Sequence, residues 1–249
     1  MNQHNIFTMA AAACRYFYGK NTRYENADFP HWLTPVAGLI PGMIFAVFSA
    51  IFVLFMGPLS GGIMTAVFIT LALELLTGWR GISISVAWFE QLLTGKKVTG
   101  NARQNSGTAE LMQRQILFAS IYIFRMTVLG ILAAGGYAVW IVYVLGGAYL
   151  IRGDLLRDEI GDDGSAVFGN WTFYIVASVI VGILSFHWTA LASLPVAVVL
   201  TLLLMFGSRY CIENFFREAD EFSVEFLGYL SENIMFVFGL ILFGRMIHG

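Results

Sequence analysis

The 249-residue chain predicts an all-α, polytopic membrane helix bundle of about seven transmembrane helices, on three observations. Apolar residues make up 58% of it and charged residues only 12%, where a soluble globular domain carries roughly 25% charged residues. Mean hydropathy is +0.73. Apolar runs close to the roughly 20 residues that cross a bilayer recur along the whole sequence, which leaves no room for a separate soluble domain. The net charge of −2 argues against nucleic acid as a partner, because that recognition needs a basic face.

Residues 1–33 read as an N-terminal interfacial arm. Phe7, Ala11, Cys14 and Phe17 recur at helical spacing, which suits a helix lying on the membrane. Residues 34–249 read as a single transmembrane domain. Its first span, 34–57, opens with Pro35, Gly38, Pro41 and Gly42, residues that permit kinks or close backbone packing. The second span, 60–78, ends shortly after Glu74. A polar loop over 79–114 follows. Within it Ile82, Val86, Phe89 and Leu93 fall on one face of a short helix, with Ser83 and Glu90 elsewhere. That helix is too short to span, so it is expected on the surface or re-entrant.

The third span, 115–134, carries Arg125 near its middle, and the fourth covers 137–151. A loop at 152–170 is strongly acidic. Spans five and six, 171–186 and 188–207, precede a polar segment at 208–224, and the last span, 226–246, carries Glu232. Cys14 and Cys211 match no metal or haem spacing and are expected as free thiols.

Charge placement orients this bundle. Of 14 Lys and Arg residues, 12 lie in the N-terminal arm and in the loops after spans two, four and six. The connections after spans one, three and five have none. The positive-inside rule then puts the N-terminus and the three large loops in the cytoplasm and the C-terminus outside, as expected in a bacterial-type inner membrane.

Three ionisable residues fall inside spans: Glu74, Arg125 and Glu232. Each costs about 2.5–3.5 kcal/mol at the bilayer centre on insertion scales, so they should face inward and pair. Such a cluster is either a polar pocket open to the cytoplasm or a structural ion pair. The acidic run that includes Asp158 and Asp162 could hold Mg²⁺ or could simply be solvated. Asn105, Ser106, Gly107 and Thr108 place amides and hydroxyls ahead of a helix, a pattern that suits an anion and equally a helix cap. Trp79, Trp88 and Phe89 are aromatics that could dock a protein partner.

Several stretches together resemble the cobalamin synthase family, membrane enzymes that join adenosylcobinamide-GDP to a ribazole using Mg²⁺. The start IFTMAAAACRYFYGK is similar to that family's N-terminal helix, and LTPVAGLIPGMIFAVF to its first span entry. LALELLTG, residues 71–78, resembles the span leading to the family's acidic loop. Gly107 and Thr108 match its "SRLGT"-type segment, and Gly228 and Glu232 match its "GDTLGA…E" stretch, with Glu225 standing for the aspartate. The departures fall on the chemistry. Where the family reads "HLDGLADTxDG", Ser83 and Ala87 stand for two aspartates, Glu90 lies near the third, and Arg103 replaces the acid of "DSR". A pyrophosphate–Mg²⁺ complex needs those charges.

The resemblance therefore implies a cobalamin-synthase-like scaffold that is catalytically degenerate and acts as a membrane subunit or scaffold that binds a partner, with no cofactor assigned to it. The alternative is an active Mg²⁺-dependent ribazoletransferase whose catalytic candidates are Glu74, Glu90, Glu225 and Glu232. A third reading is a small transporter whose path includes Glu74, Arg125 and Glu232.

Overall fold

The computed structural model describes residues 34–94, 108–160, 165–185, 188–216 and 221–247, which contain helices and turns and no strand. In chain order the helices are α1 (Thr34–Met56), α2 (Pro58–Thr77), α3 (Arg80–Thr94), α4 (Thr108–Ala134) and α5 (Ala138–Ile160). They continue with α6 (Ser165–Leu184), α7 (Trp188–Cys211), one π-helical turn (Ile212–Phe216) and α8 (Glu221–Ile247). Six of them (α1, α2, α4, α5, α7 and α8) are long and apolar enough to cross a membrane, and α6 adds a shorter apolar stretch, Gly169–Leu184. The chain is an all-α, multi-pass membrane bundle. The interfacial arm expected over 1–33 lies outside the described residues.

α5 is the axis of this bundle. Its span Ala138–Leu156 is 94% buried, against 28% for α1, and Trp140 to Leu145 form an unbroken buried run. A helix that is apolar all round has no outward face and must be enclosed. α1, by contrast, turns Leu54 and Phe55 outward at 79% and 81% exposure. Such a surface would be a liability in water and is matched by lipid.

Lipid tails are as apolar as leucine, so close packing rather than the hydrophobic effect joins these helices. Gly38 and Gly42, four apart on one face of α1, supply it against α5. A Cβ added at Gly38 would lie 2.1 Å from the Leu145 carbonyl oxygen, and one at Gly42 2.9 Å from the Val142 Cα. Buried polar groups then pin the neighbours of α5. Trp140 Nε1 donates to the Met235 carbonyl of α8 at 3.0 Å, and the Tyr143 hydroxyl donates to the Ala190 carbonyl of α7 at 3.2 Å. The Tyr174 hydroxyl of α6 donates to the Tyr143 carbonyl at 3.1 Å.

Two departures from the sequence expectation position the site. Helix α5 does not stop at 151: it runs to Ile160, and Arg152, Asp154, Leu155 and Leu156 are buried in it. Those charges stay inside because each meets an opposite charge from another helix. The short helix α3 forms as expected, but its face is rotated. Ile82, Ser85, Val86 and Glu90 are buried, whereas Phe89 is exposed. Arg114 draws Glu90 inward, with Nε 2.7 Å from the carboxylate.

The turn into α3 uses two consecutive left-handed residues, Gly78 at φ 62° and Trp79 at φ 63°. Glycine adopts that conformation freely, whereas a bulky residue does so only under strain. Trp79 is held there by its backbone N–H, which donates to the Glu74 carbonyl at 2.7 Å. Its ring also lies 5.6 Å from that of Phe118 and 6.2 Å from that of Tyr122.

Candidate functional site

Glu225, Tyr229 and Glu232 recur at intervals of four and three, so they share one face of α8. Glu74 from α2, Arg125 from α4 and Arg152 from α5 converge on that face. Arg125 Nη1 donates to Glu74 Oε1 at 2.9 Å, and its Nη2 donates to Glu232 Oε1. Arg152 continues the chain of charges, with Nη2 3.7 Å from Glu232 Oε2 and Nε 3.4 Å from Glu225 Oε2. Every side chain in the network is at most 8% exposed.

Aromatic faces back both cations. The Arg125 guanidinium lies 4.9 Å from the centre of the Tyr229 ring, and that of Arg152 lies 4.6 Å from the Tyr149 ring. Stacking of this kind attracts a desolvated cation to the ring quadrupole. Gly228 makes room for the arrangement, since a Cβ there would sit 2.5 Å from both Cγ and Nε of Arg152. The charges leave little free space: the cavity among them is about 10 Å³, which matches about one water molecule.

A second ion pair flanks the network. Arg209 grips Asp154 with two hydrogen bonds, Nε to Oδ2 at 2.6 Å and Nη2 to Oδ1 at 2.9 Å. Helix α3 covers the network from the same end of the bundle. Trp88 stacks on Phe226 at 4.6 Å, and Ile82 and Val86 pack with Tyr229. A far larger recess, about 610 Å³, opens toward the opposite end between α1, α5 and α6. It is lined mainly by apolar residues such as Met43, Val47 and Val142 and touches none of the charged groups.

The predicted site residues are thus distributed unevenly. Glu74, Arg125, Glu225 and Glu232 come together. Glu90 pairs instead with Arg114, at the edge of α3. Trp79 and Trp88 place their rings against the chain's own aromatics, and of the three expected docking residues only Phe89 is exposed. Thr108 begins α4 and Asp158 lies in the last turn of α5, while Asn105, Ser106, Gly107 and Asp162 lie outside the described residues.

Sequence reasoning missed Arg152 and read Asp154 only as part of the acidic run, and it missed Arg209 and Tyr229. A signal for the first two was present: Leu155 and Leu156 carry the apolar pattern of α5 past them. The spacing of Glu225 and Glu232 pointed to Tyr229 between them.

The resemblance to cobalamin synthases would ask this site to hold Mg²⁺, and the residues do not fit. Mg²⁺ requires near-octahedral oxygen ligation with several waters. Here Glu74 faces Arg125, Glu232 faces Arg125 and Arg152, and Glu225 faces Arg152. A divalent cation would enter a space of about 10 Å³ beside two guanidiniums. Among the described residues no group of three or more His, Cys, Asp and Glu is arranged to hold a metal ion. No family model matches the chain, nor does any curated protein or solved structure.

Proposed function

We propose that the chain is a catalytically degenerate, cobalamin-synthase-like membrane scaffold that works as a subunit of a bacterial-type inner-membrane complex. One observation carries the reading: the candidate catalytic carboxylates are engaged by arginines. Glu74 and Glu232 share Arg125, Glu225 meets Arg152, and Glu90 meets Arg114. A metal-dependent transferase needs carboxylates turned toward a substrate-sized opening. This network joins helices instead.

The cytoplasmic face is the end that carries α3, by the distribution of Lys and Arg along the sequence. Exposed aromatics there support partner binding, with Phe89 at 39% exposure on α3 and Phe215 at 75% on the π-helical turn. Large aromatics are characteristic anchors of protein interfaces.

The test is purification of the full chain from its native membrane in mild detergent. The expected result is a defined partner at fixed stoichiometry that is lost with Phe89→Ala and Phe215→Ala. A chain that runs alone and monodisperse contradicts the reading. So does Mg²⁺-dependent consumption of adenosylcobinamide-GDP by the purified protein.

A further inference from the structure

We propose that the 610 Å³ recess between α1, α5 and α6 is a lipid site that holds the acyl chains of one phospholipid. This goes beyond the scaffold reading and stands whether or not a protein partner binds. Its ground is the depth, lining and position of the recess. It follows α1 from Met43 to Leu54, a rise of about 17 Å at about 1.5 Å per residue. That is close to half of the roughly 30 Å hydrocarbon core of a bilayer. The recess therefore has the depth of one leaflet, the one away from α3.

The lining excludes a polar occupant. Every side chain there is apolar except those of Ser49 and Ser185, and Ser185 Oγ already donates to the Gly182 carbonyl of its own helix at 2.7 Å. A charged ligand would lose its hydration with no partner to replace it. Water too needs several polar partners to stay in such a space. A hydrocarbon chain needs none and gains dispersion contacts with the walls. The rim is lipid-facing, since Met43, Val47, Leu54 and Leu184 are exposed on the outside of the bundle. The recess is thus continuous with the surface that meets the bilayer.

Size decides between a lipid and a neighbouring protein helix. A helix about 10 Å across with its side chains would need roughly 1,300 Å³ over that length, about twice the space there. A hydrocarbon chain is about 5 Å across, because carbon contacts of roughly 4 Å surround its zigzag, and takes about 330 Å³. Two chains fill the recess, and a helix does not fit.

Native mass spectrometry of the full chain in mild detergent tests this. After loosely held lipid is washed away, the wild type should carry one phospholipid per chain. Ala50→Phe places a ring in the recess from α1, and Val181→Phe does so from α6; each should lose the lipid. Ala119→Phe, the same change at an exposed position of α4 outside the recess, should retain it. Phosphatidylcholine added back to delipidated wild type should raise its melting temperature, as a ligand of the folded state does, and this arm needs no variant. A wild type that carries no lipid or detergent only, or whose melt does not move, overturns the proposal. So does lipid retained by both folded recess variants or lost equally from Ala119→Phe. A protein subunit released by Ala50→Phe in place of lipid overturns it as well.

Discussion

Arg125 Nη1 lies 2.9 Å from Glu74 Oε1, with the two side chains only 2% and 1% exposed. The same guanidinium reaches Glu232, so one residue of α4 ties α2 to α8. A charge placed in a bilayer must find a partner inside the protein, and this is how three such charges satisfy one another. The bundle is consequently most sensitive at its charged centre and less so at its lipid-facing surface.

Burial decides how much each arginine matters. Arg152 is 4% exposed and stands between Glu225 and Glu232, whereas Arg209 is 34% exposed at the edge of the bundle. Removing one partner of a buried pair costs about 3–5 kcal/mol, because a buried charge is left behind. Loss of Arg152 leaves two buried carboxylates short of a cation, whereas loss of the partly solvated Arg209 leaves one, Asp154. Arg152→Met should therefore lower the detergent melting temperature more than Arg209→Met, as a fluorescence-monitored thermal melt will show.

Gly228 is a steric prediction. A methyl group there meets the Arg152 side chain at 2.5 Å, while one added at Gly207 meets nothing within 4 Å. Overpacking of this kind costs about 1–3 kcal/mol, whereas alanine in an open helix position is favoured over glycine by roughly 1 kcal/mol. Gly228→Ala should destabilise the protein and Gly207→Ala should not, measured by the same melt.

Helix α3 should loosen before the spans do. It is held by the Trp88–Phe226 stack and by Ile82 and Val86 against Tyr229. An aromatic pair contributes about 0.5–1.5 kcal/mol beyond its buried area. Trp88→Ala should speed amide hydrogen exchange across 80–94 while leaving α5 protected, and uniform acceleration of both would contradict this division.

Sidedness has its own test. Reporter fusions after residues 57, 136 and 186 should act outside, and fusions within 95–107, 161–164 and 217–220 should act in the cytoplasm. The prediction follows from the confinement of Lys and Arg to the second set of connections, and one inverted pair would disprove it.

Much of this was legible in the sequence. Span positions follow from apolar runs, and the pairing of Glu74, Arg125 and Glu232 follows from the cost of burying charge. What stayed hidden depended on tertiary partners. Arg152 and Asp154 read as the start of an acidic loop because their partners, Glu225, Glu232 and Arg209, lie at least 55 residues away in sequence. Periodicity marked α3 as amphipathic, but the inward turn of Glu90 required Arg114 beside it. Trp79 and Trp88 looked free to bind a partner because nothing local reveals that Phe118, Tyr122 and Phe226 are waiting for them.

The claim that the candidate catalytic acids serve as structural ion-pair partners is tested most directly by a double-mutant cycle on Glu74 and Arg125. Arg125→Met alone should cost about 3–5 kcal/mol of stability in the thermal melt. With Glu74→Gln in place, the further loss on Arg125→Met should be smaller, giving a coupling of about 0.5–3 kcal/mol between the two residues. Additive effects within about 0.3 kcal/mol, with Arg125→Met as stable as the wild type, would contradict the account.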